Sequence, residues 1–140
     1  MTESKIVKLL ATVVMLVGVV LGARAYADAA PKVIVVVNRA DWCSVCKAHG
    51  ERAAKAVMTA SAGTALQIVI NDVTSDDTAR TSAAALKAIG LDKAMAQHTA
   101  TGVLTYFDAR TKRQLRQITV ANSDDELKQV TLLALKEASH

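Results

Sequence analysis

The chain has 140 residues; 51% are apolar, only 3% are aromatic, and the formal net charge is +4. That length allows one domain with a core of ordinary size, built from Ala, Val, Leu and Ile rather than from rings. Residues 1–27 carry three basic side chains against one acidic, leaving 14 basic against 12 acidic in residues 28–140. Such a mixed surface excludes the basic footprint of a nucleic-acid-binding protein.

Met1 to Lys8 holds Lys5 and Lys8, and Leu9 to Ala23 is a charge-free apolar run of fifteen residues closed by Arg24. Ala25-Tyr26-Ala27 then gives the small-x-small pattern of a signal peptidase site. The run falls short of the roughly 20 residues that span a bilayer comfortably. The expectation is therefore a signal peptide over 1–27 cleaved after Ala27, with an uncleaved anchor through residues 9–23 as the second reading and a buried cytosolic helix as the third. No cysteine lies near the site, which argues against a lipoprotein. The first two readings place residues 28–140 outside the cytoplasm, in a bacterial cell the periplasm, where cysteine pairs become oxidised.

After the linker Ala29-Ala30-Pro31-Lys32 comes Val33-Ile34-Val35-Val36-Val37, a short β-branched run that reads as a buried strand. The chain's two cysteines follow in Asp41-Trp42-Cys43-Ser44-Val45-Cys46-Lys47. Beyond them Val45, Ala48, Arg52, Ala53, Ala56, Val57 and Ala60 recur at helical spacing, up to Ala62-Gly63. The Cys-x-x-Cys thus lies on a strand-to-helix turn, with Cys43 near the first helical position. Free N–H groups and the helix dipole favour a thiolate there, and such placement brings thiol pKa values from about 8.5 into a range of roughly 3.5–7.5. Cys46, one turn on, is close enough to close a disulfide.

Leu66 to Ile70 reads as a second strand ending at Asn71-Asp72. Thr74-Ser75-Asp76-Asp77 offers N-caps for a helix with Ala79, Ala83, Leu86 and Ile89 on one face, ended by Gly90. A short helical piece over 91–97, a strand over 102–107, a polar turn over 108–113 and a strand over 114–120 follow. Arg110, Lys112, Arg113 and Arg116 around that turn read as a solvated face rather than an acidic-partner surface. Ser123 and Glu126 form a capping box for a last helix burying Leu127, Val130, Leu133 and Leu135. The order strand, helix, strand, helix, strand, strand, helix describes an α/β sandwich with a mixed sheet.

At Ala40-Asp41-Trp42-Cys43-Ser44-Val45-Cys46-Lys47 the chain resembles the thioredoxin superfamily, and the element order carries the likeness over about residues 32–138. The export signal makes it more similar to periplasmic thiol–disulfide oxidoreductases than to cytosolic thioredoxin. The resemblance implies a thioredoxin-like α/β fold: a mixed central sheet of about four strands with helices on both faces, preceded here by the signal or anchor helix. It implies an enzyme in which Cys43 is the exposed attacking thiolate, Cys46 the buried resolving thiol, and Trp42 a flank of the dithiol. Asp41 and Lys47 would be charged neighbours. It also implies no cofactor beyond the redox-active disulfide. The expected partners are protein thiols and disulfides, with a membrane redox partner and a part in cytochrome or oxidase maturation among the readings; a monomer is expected.

Three departures from the family's pattern stand out. Thr101-Gly102 occupies the place of the usual cis-proline, and a cis bond before a non-proline residue costs about 2.5–4 kcal/mol, so a trans peptide or a reshaped loop is expected. The family's buried carboxylate would fall at Val37, its lysine partner nearest Val69, so Asp41 or a water would have to stand in. The spacer is Ser44-Val45 rather than Gly-Pro. A second reading makes the fold a metal-binding or partner-docking module, with Cys43, Cys46, His49 and His98 as ligands for copper or zinc. A structural disulfide is the third, though a ring closed over two residues constrains little chain.

Overall fold

The computed structural model describes residues 30–139; the signal or anchor expected over 1–27 lies outside them. The elements are β1 (Val33–Arg39), α1 (Ser44–Ala60), β2 (Leu66–Asp72), α2 (Asp76–Ala88), α3 (Asp92–Met95), β3 (Val103–Asp108), β4 (Gln114–Thr119) and α4 (Asp124–Glu137). The sheet runs β2-β1-β3-β4, with β1 parallel to β2 and antiparallel to β3, and β3 antiparallel to β4. The expected mixed sheet of about four strands is what forms.

β1 is a central strand, which is why its sequence is apolar on both faces. Val33 and Val35 point with Leu104 and Tyr106 toward Ala53, Ala56 and Val57 of α1 and Leu127 and Ala134 of α4. Ile34 and Val36 point the other way with Phe107, toward Leu86 of α2 and Leu91 and Met95 at α3. Helices thus cover both faces. Each fully buried Val or Leu in these layers contributes roughly 1.5–3 kcal/mol through removal of apolar surface from water. Among the described residues no helix is long and apolar enough to cross a membrane.

Several helix faces are rotated from the expected ones. On α2 the inward residues are Ser82 and Leu86, while Ala83 is exposed. On α4 they are Leu127, Thr131 and Ala134, while Leu133 is 40% exposed. Ala48 of α1 is also exposed. In the first two cases a hydroxyl occupies the core-facing position because its hydrogen bonds are satisfied there. Ser82 Oγ accepts the Asp72 N–H at 2.9 Å and donates to the Asp72 carbonyl at 3.2 Å. Thr131 Oγ1 lies 2.9 Å from the Tyr106 hydroxyl and 2.8 Å from the Leu127 carbonyl. The expected capping box of the last helix is present, with Ser123 Oγ accepting the Glu126 N–H and Glu126 accepting the Ser123 N–H.

Candidate functional site

β1 delivers the chain to the carboxyl end of the sheet, where Ala40, 1% exposed, anchors a turn closed by the Cys43 N–H to the Ala40 carbonyl at 3.1 Å. Cys43 is the N-cap of α1, extended at φ −78° and ψ 107°. A cysteine sulfur here does what a serine oxygen does at other caps: Cys43 Sγ accepts the Cys46 N–H at 3.2 Å. Cys43 and Cys46 are joined by a disulfide, their Cα atoms 5.3 Å apart. When the bond opens, the same N–H and the positive end of the helix dipole stabilise negative charge on Cys43.

Exposure differs from the expected order. Cys43 is 5% exposed and Cys46 is half-buried, so the N-terminal cysteine is the less accessible residue. Trp42 beside it is 64% exposed, a bare indole at the mouth of the site. Lys47 is exposed on the first turn of α1.

The opposite wall comes from β3. Because β3 runs antiparallel to β1, its first residues lie beside the last residues of β1, with Asn38 facing Val103. The Gly102 N–H donates to the Asn38 carbonyl at 2.8 Å, and the Gly102 carbonyl accepts the Val120 N–H at 2.9 Å. Gly102 has φ +76°, and a Cβ built on it would lie 2.5 Å from Val45 Cγ1, 3.6 Å from Val120 Cγ2 and 3.7 Å from Cys46 Sγ. Gly102 therefore lies beside the Cys46 sulfur. There are no cis peptide bonds among the described residues, in line with the expected trans peptide. Thr101 is half-buried just before the turn.

The other expected neighbours are employed elsewhere. Asp41 is ion-paired with Arg39, and its N–H donates to Thr74 Oγ1 at 3.0 Å. Arg39 also reaches Asp72 at 3.3 Å, so the turn ahead of Trp42 is tied to the β2–α2 loop. Val37 packs at the margin of the core. The His98 ring meets Phe107 edge-on with centroids 6.3 Å apart, and its Nδ1 lies 3.2 Å from Gln117 Nε2. His49 is half-buried along α1. No three His, Cys, Asp or Glu side chains converge as metal ligands among the described residues. The alternative set of Cys43, Cys46, His49 and His98 is therefore not assembled.

Two residues at the site carry more than the sequence suggested. Arg52, expected on the apolar face of α1, sends its guanidinium to the carbonyls of Val120 at 2.8 Å and Asn122 at 2.9 Å and to the Asp124 carboxylate. It thereby fixes the turn that carries Val120 against Gly102. Asn38 is 3% exposed and hydrogen-bonded on three sides. The available signal was a carboxamide ending a run of buried β-branched residues, where a polar side chain needs partners.

The carboxylates around this frame are held in their charged form. Hydrogen bonds from the Thr74 hydroxyl and N–H, with Arg39 adding to them, lower the pKa of Asp72. The Thr111 N–H chiefly lowers that of Asp108, and the Ser123 N–H that of Glu126. A carboxyl depressed in the folded state contributes stability above its unfolded pKa, about 4, and loses it as pH falls through the folded value. The melting temperature is expected to be level from pH 7 to about 5 and to fall below about pH 4. Asp108→Asn should flatten that fall, and melts independent of pH down to 3 would refute the assignment.

Comparison with protein-family models and with curated proteins gave no match. Among solved structures, the chain is similar to the crystal structure of Trxlp from Edwardsiella tarda EIB202, at 21% identity and a TM-score of 0.46, over 77% of this chain and 89% of that one. In its own geometry, the mixed sheet with helices on both faces and a disulfide-bonded Cys-x-x-Cys at the first strand-to-helix turn make a thioredoxin-like α/β arrangement.

Proposed function

We propose that residues 28–140 act as a thiol–disulfide oxidoreductase on protein thiols and disulfides outside the cytoplasm. The observation that carries this reading is the Cys43–Cys46 disulfide at the N-cap of α1, with the Cys46 N–H donated to Cys43 Sγ. In the reducing direction the Cys43 thiolate attacks a substrate disulfide, forming a Cys43–substrate disulfide and releasing one substrate thiolate. The Cys46 thiol loses its proton to solvent and attacks the Cys43 sulfur; the second substrate thiolate leaves and the ring closes. Two electrons pass to the substrate, and the reverse sequence oxidises a dithiol.

The near-complete burial of Cys43 restricts partners to segments that enter beside Trp42. Asp41 is held by Arg39, so water takes the role of proton acceptor for Cys46. Export, and with it a periplasmic or membrane-bound redox partner in cytochrome or oxidase maturation, is supported by the basic start, the apolar run and the Ala25-Tyr26-Ala27 site. The protein works as a monomer with no cofactor beyond its disulfide.

The test is a redox titration of the purified protein against glutathione or dithiothreitol, followed by Trp42 fluorescence. A single two-electron transition between about −120 and −270 mV is expected. Reduction only below about −300 mV would make the disulfide structural. Absence of a transition, with copper or zinc retained through gel filtration, would favour the metal-binding alternative.

A further inference from the structure

Asn38 ends the central strand inside the molecule, directly behind the site. Its Nδ2 donates to the carbonyl of His98 at 2.7 Å and to that of Ala100 at 3.2 Å, while its Oδ1 accepts from Asn71 Nδ2 at 2.8 Å. The orientation of the amide is dictated by chemistry: two facing carbonyls can be met only by the NH₂ group. Its main-chain carbonyl takes the N–H of Gly102 at 2.8 Å. One residue thus holds the 98–102 segment at three points. The last of them, Gly102, is the wall whose Cβ position lies 3.7 Å from Cys46 Sγ.

This segment has no proline to stiffen it, and His98, Ala100 and Thr101 are partly or fully exposed. Without the carboxamide its inner carbonyls would face a buried position with no donor, a cost met most cheaply by moving outward to water. Outward movement of 98–101 draws Gly102 with it and uncovers the side of Cys46 that it shields.

We propose, resting on the exchange reading above, that Asn38 is a positioning residue: its carboxamide sets how closely the Gly102 wall stands to Cys46 and so limits how far that half-buried thiol opens to solution reagents. Asn38 touches neither sulfur and acts through the loop. The reactivity of Cys46 in the reduced protein is then governed by the open fraction of 98–102, which the loss of a buried hydrogen bond raises on the order of tenfold.

The test is iodoacetamide alkylation of the reduced full-length protein, with the rate at each cysteine resolved by peptide mass spectrometry. Asn38→Leu, of similar volume but without donors, is expected to raise the Cys46 rate about tenfold and to leave the Cys43 rate within about twofold. Asn38→Asp, isosteric and still able to accept from Asn71, should shift Cys46 in the same direction; it keeps the question answerable if the leucine variant does not fold. Asn71→Leu removes a hydrogen bond from the same carboxamide on its far side and should leave the Cys46 rate unchanged. An unaltered Cys46 rate in both Asn38 variants, or an equal rise in Asn71→Leu, overturns the positioning role. These rates report the access and thiolate character of each cysteine and not its reduction potential, so they stand apart from the redox titration, whose failure would overturn the exchange reading instead.

Discussion

Replacing Gly102 with proline, the residue that the sequence resemblance would place here, is expected to destabilise the domain by about 3 kcal/mol. Two features of this backbone oppose it. Gly102 has φ +76°, whereas a proline ring holds φ near −65°. Its N–H also donates to the Asn38 carbonyl at 2.8 Å, a donor that proline lacks. A fall of roughly 10–20 °C in melting temperature should follow, and a melt within 2 °C of the parent would show that the loop tolerates the other geometry. Gly102→Ala isolates the steric part. The left-handed backbone and a Cβ at 2.5 Å from Val45 Cγ1 should together cost about 2 kcal/mol. Val45 is β-branched and stiff at χ1, so it cannot swing aside freely. Adding Val45→Ala to Gly102→Ala should therefore return about 1 kcal/mol as a coupling energy. The Cβ position is at ordinary contact distance from Cys46 Sγ, 3.7 Å, so the disulfide itself is left in place. Strict additivity in that cycle would remove Val45 as the neighbour that requires glycine here.

The strands were legible because β1 is central and apolar throughout, and because Asp108 and the residues after it mark a hairpin turn. The Cys-x-x-Cys turn was legible because two cysteines three apart after such a strand have few alternatives. Inward positions were harder. Ser82 and Thr131 look like surface residues by composition, and only partners distant in sequence, Asp72 and Tyr106, make them acceptable inside. The exposure of the cysteines failed for the same reason. Cys43 is covered and Cys46 partly open, a difference set by tertiary packing that spacing does not encode. Asn38 joins the two cases: a polar residue whose role exists only once β3 is laid beside β1.

Cys43→Ser is expected to lower disulfide-exchange turnover by about a hundredfold or more, while Cys46→Ser should produce a different failure. In the first variant the remaining thiol lacks both the N-cap position and the donated N–H that Cys43 receives, and no ring can close. In the second, Cys43 still attacks, but the thiol that would resolve the intermediate is gone, so the substrate remains attached as a mixed disulfide. Insulin reduction measures the first loss, and mass spectrometry after quenching with acid shows the adduct on Cys43. Neither serine should unfold the protein, because a ring over two intervening residues contributes about 2 kcal/mol at most in the chain-entropy account. The partial exposure of Cys46 gives the experiment its edge: a thiol reagent can reach that sulfur as well. An adduct that accumulates on Cys46 in Cys43→Ser, with none on Cys43 in Cys46→Ser, would reverse the assigned roles and make the more open sulfur the entry point. An adduct on Cys43 alone would show that charge stabilisation at the helix N-terminus outweighs exposure in choosing the nucleophile.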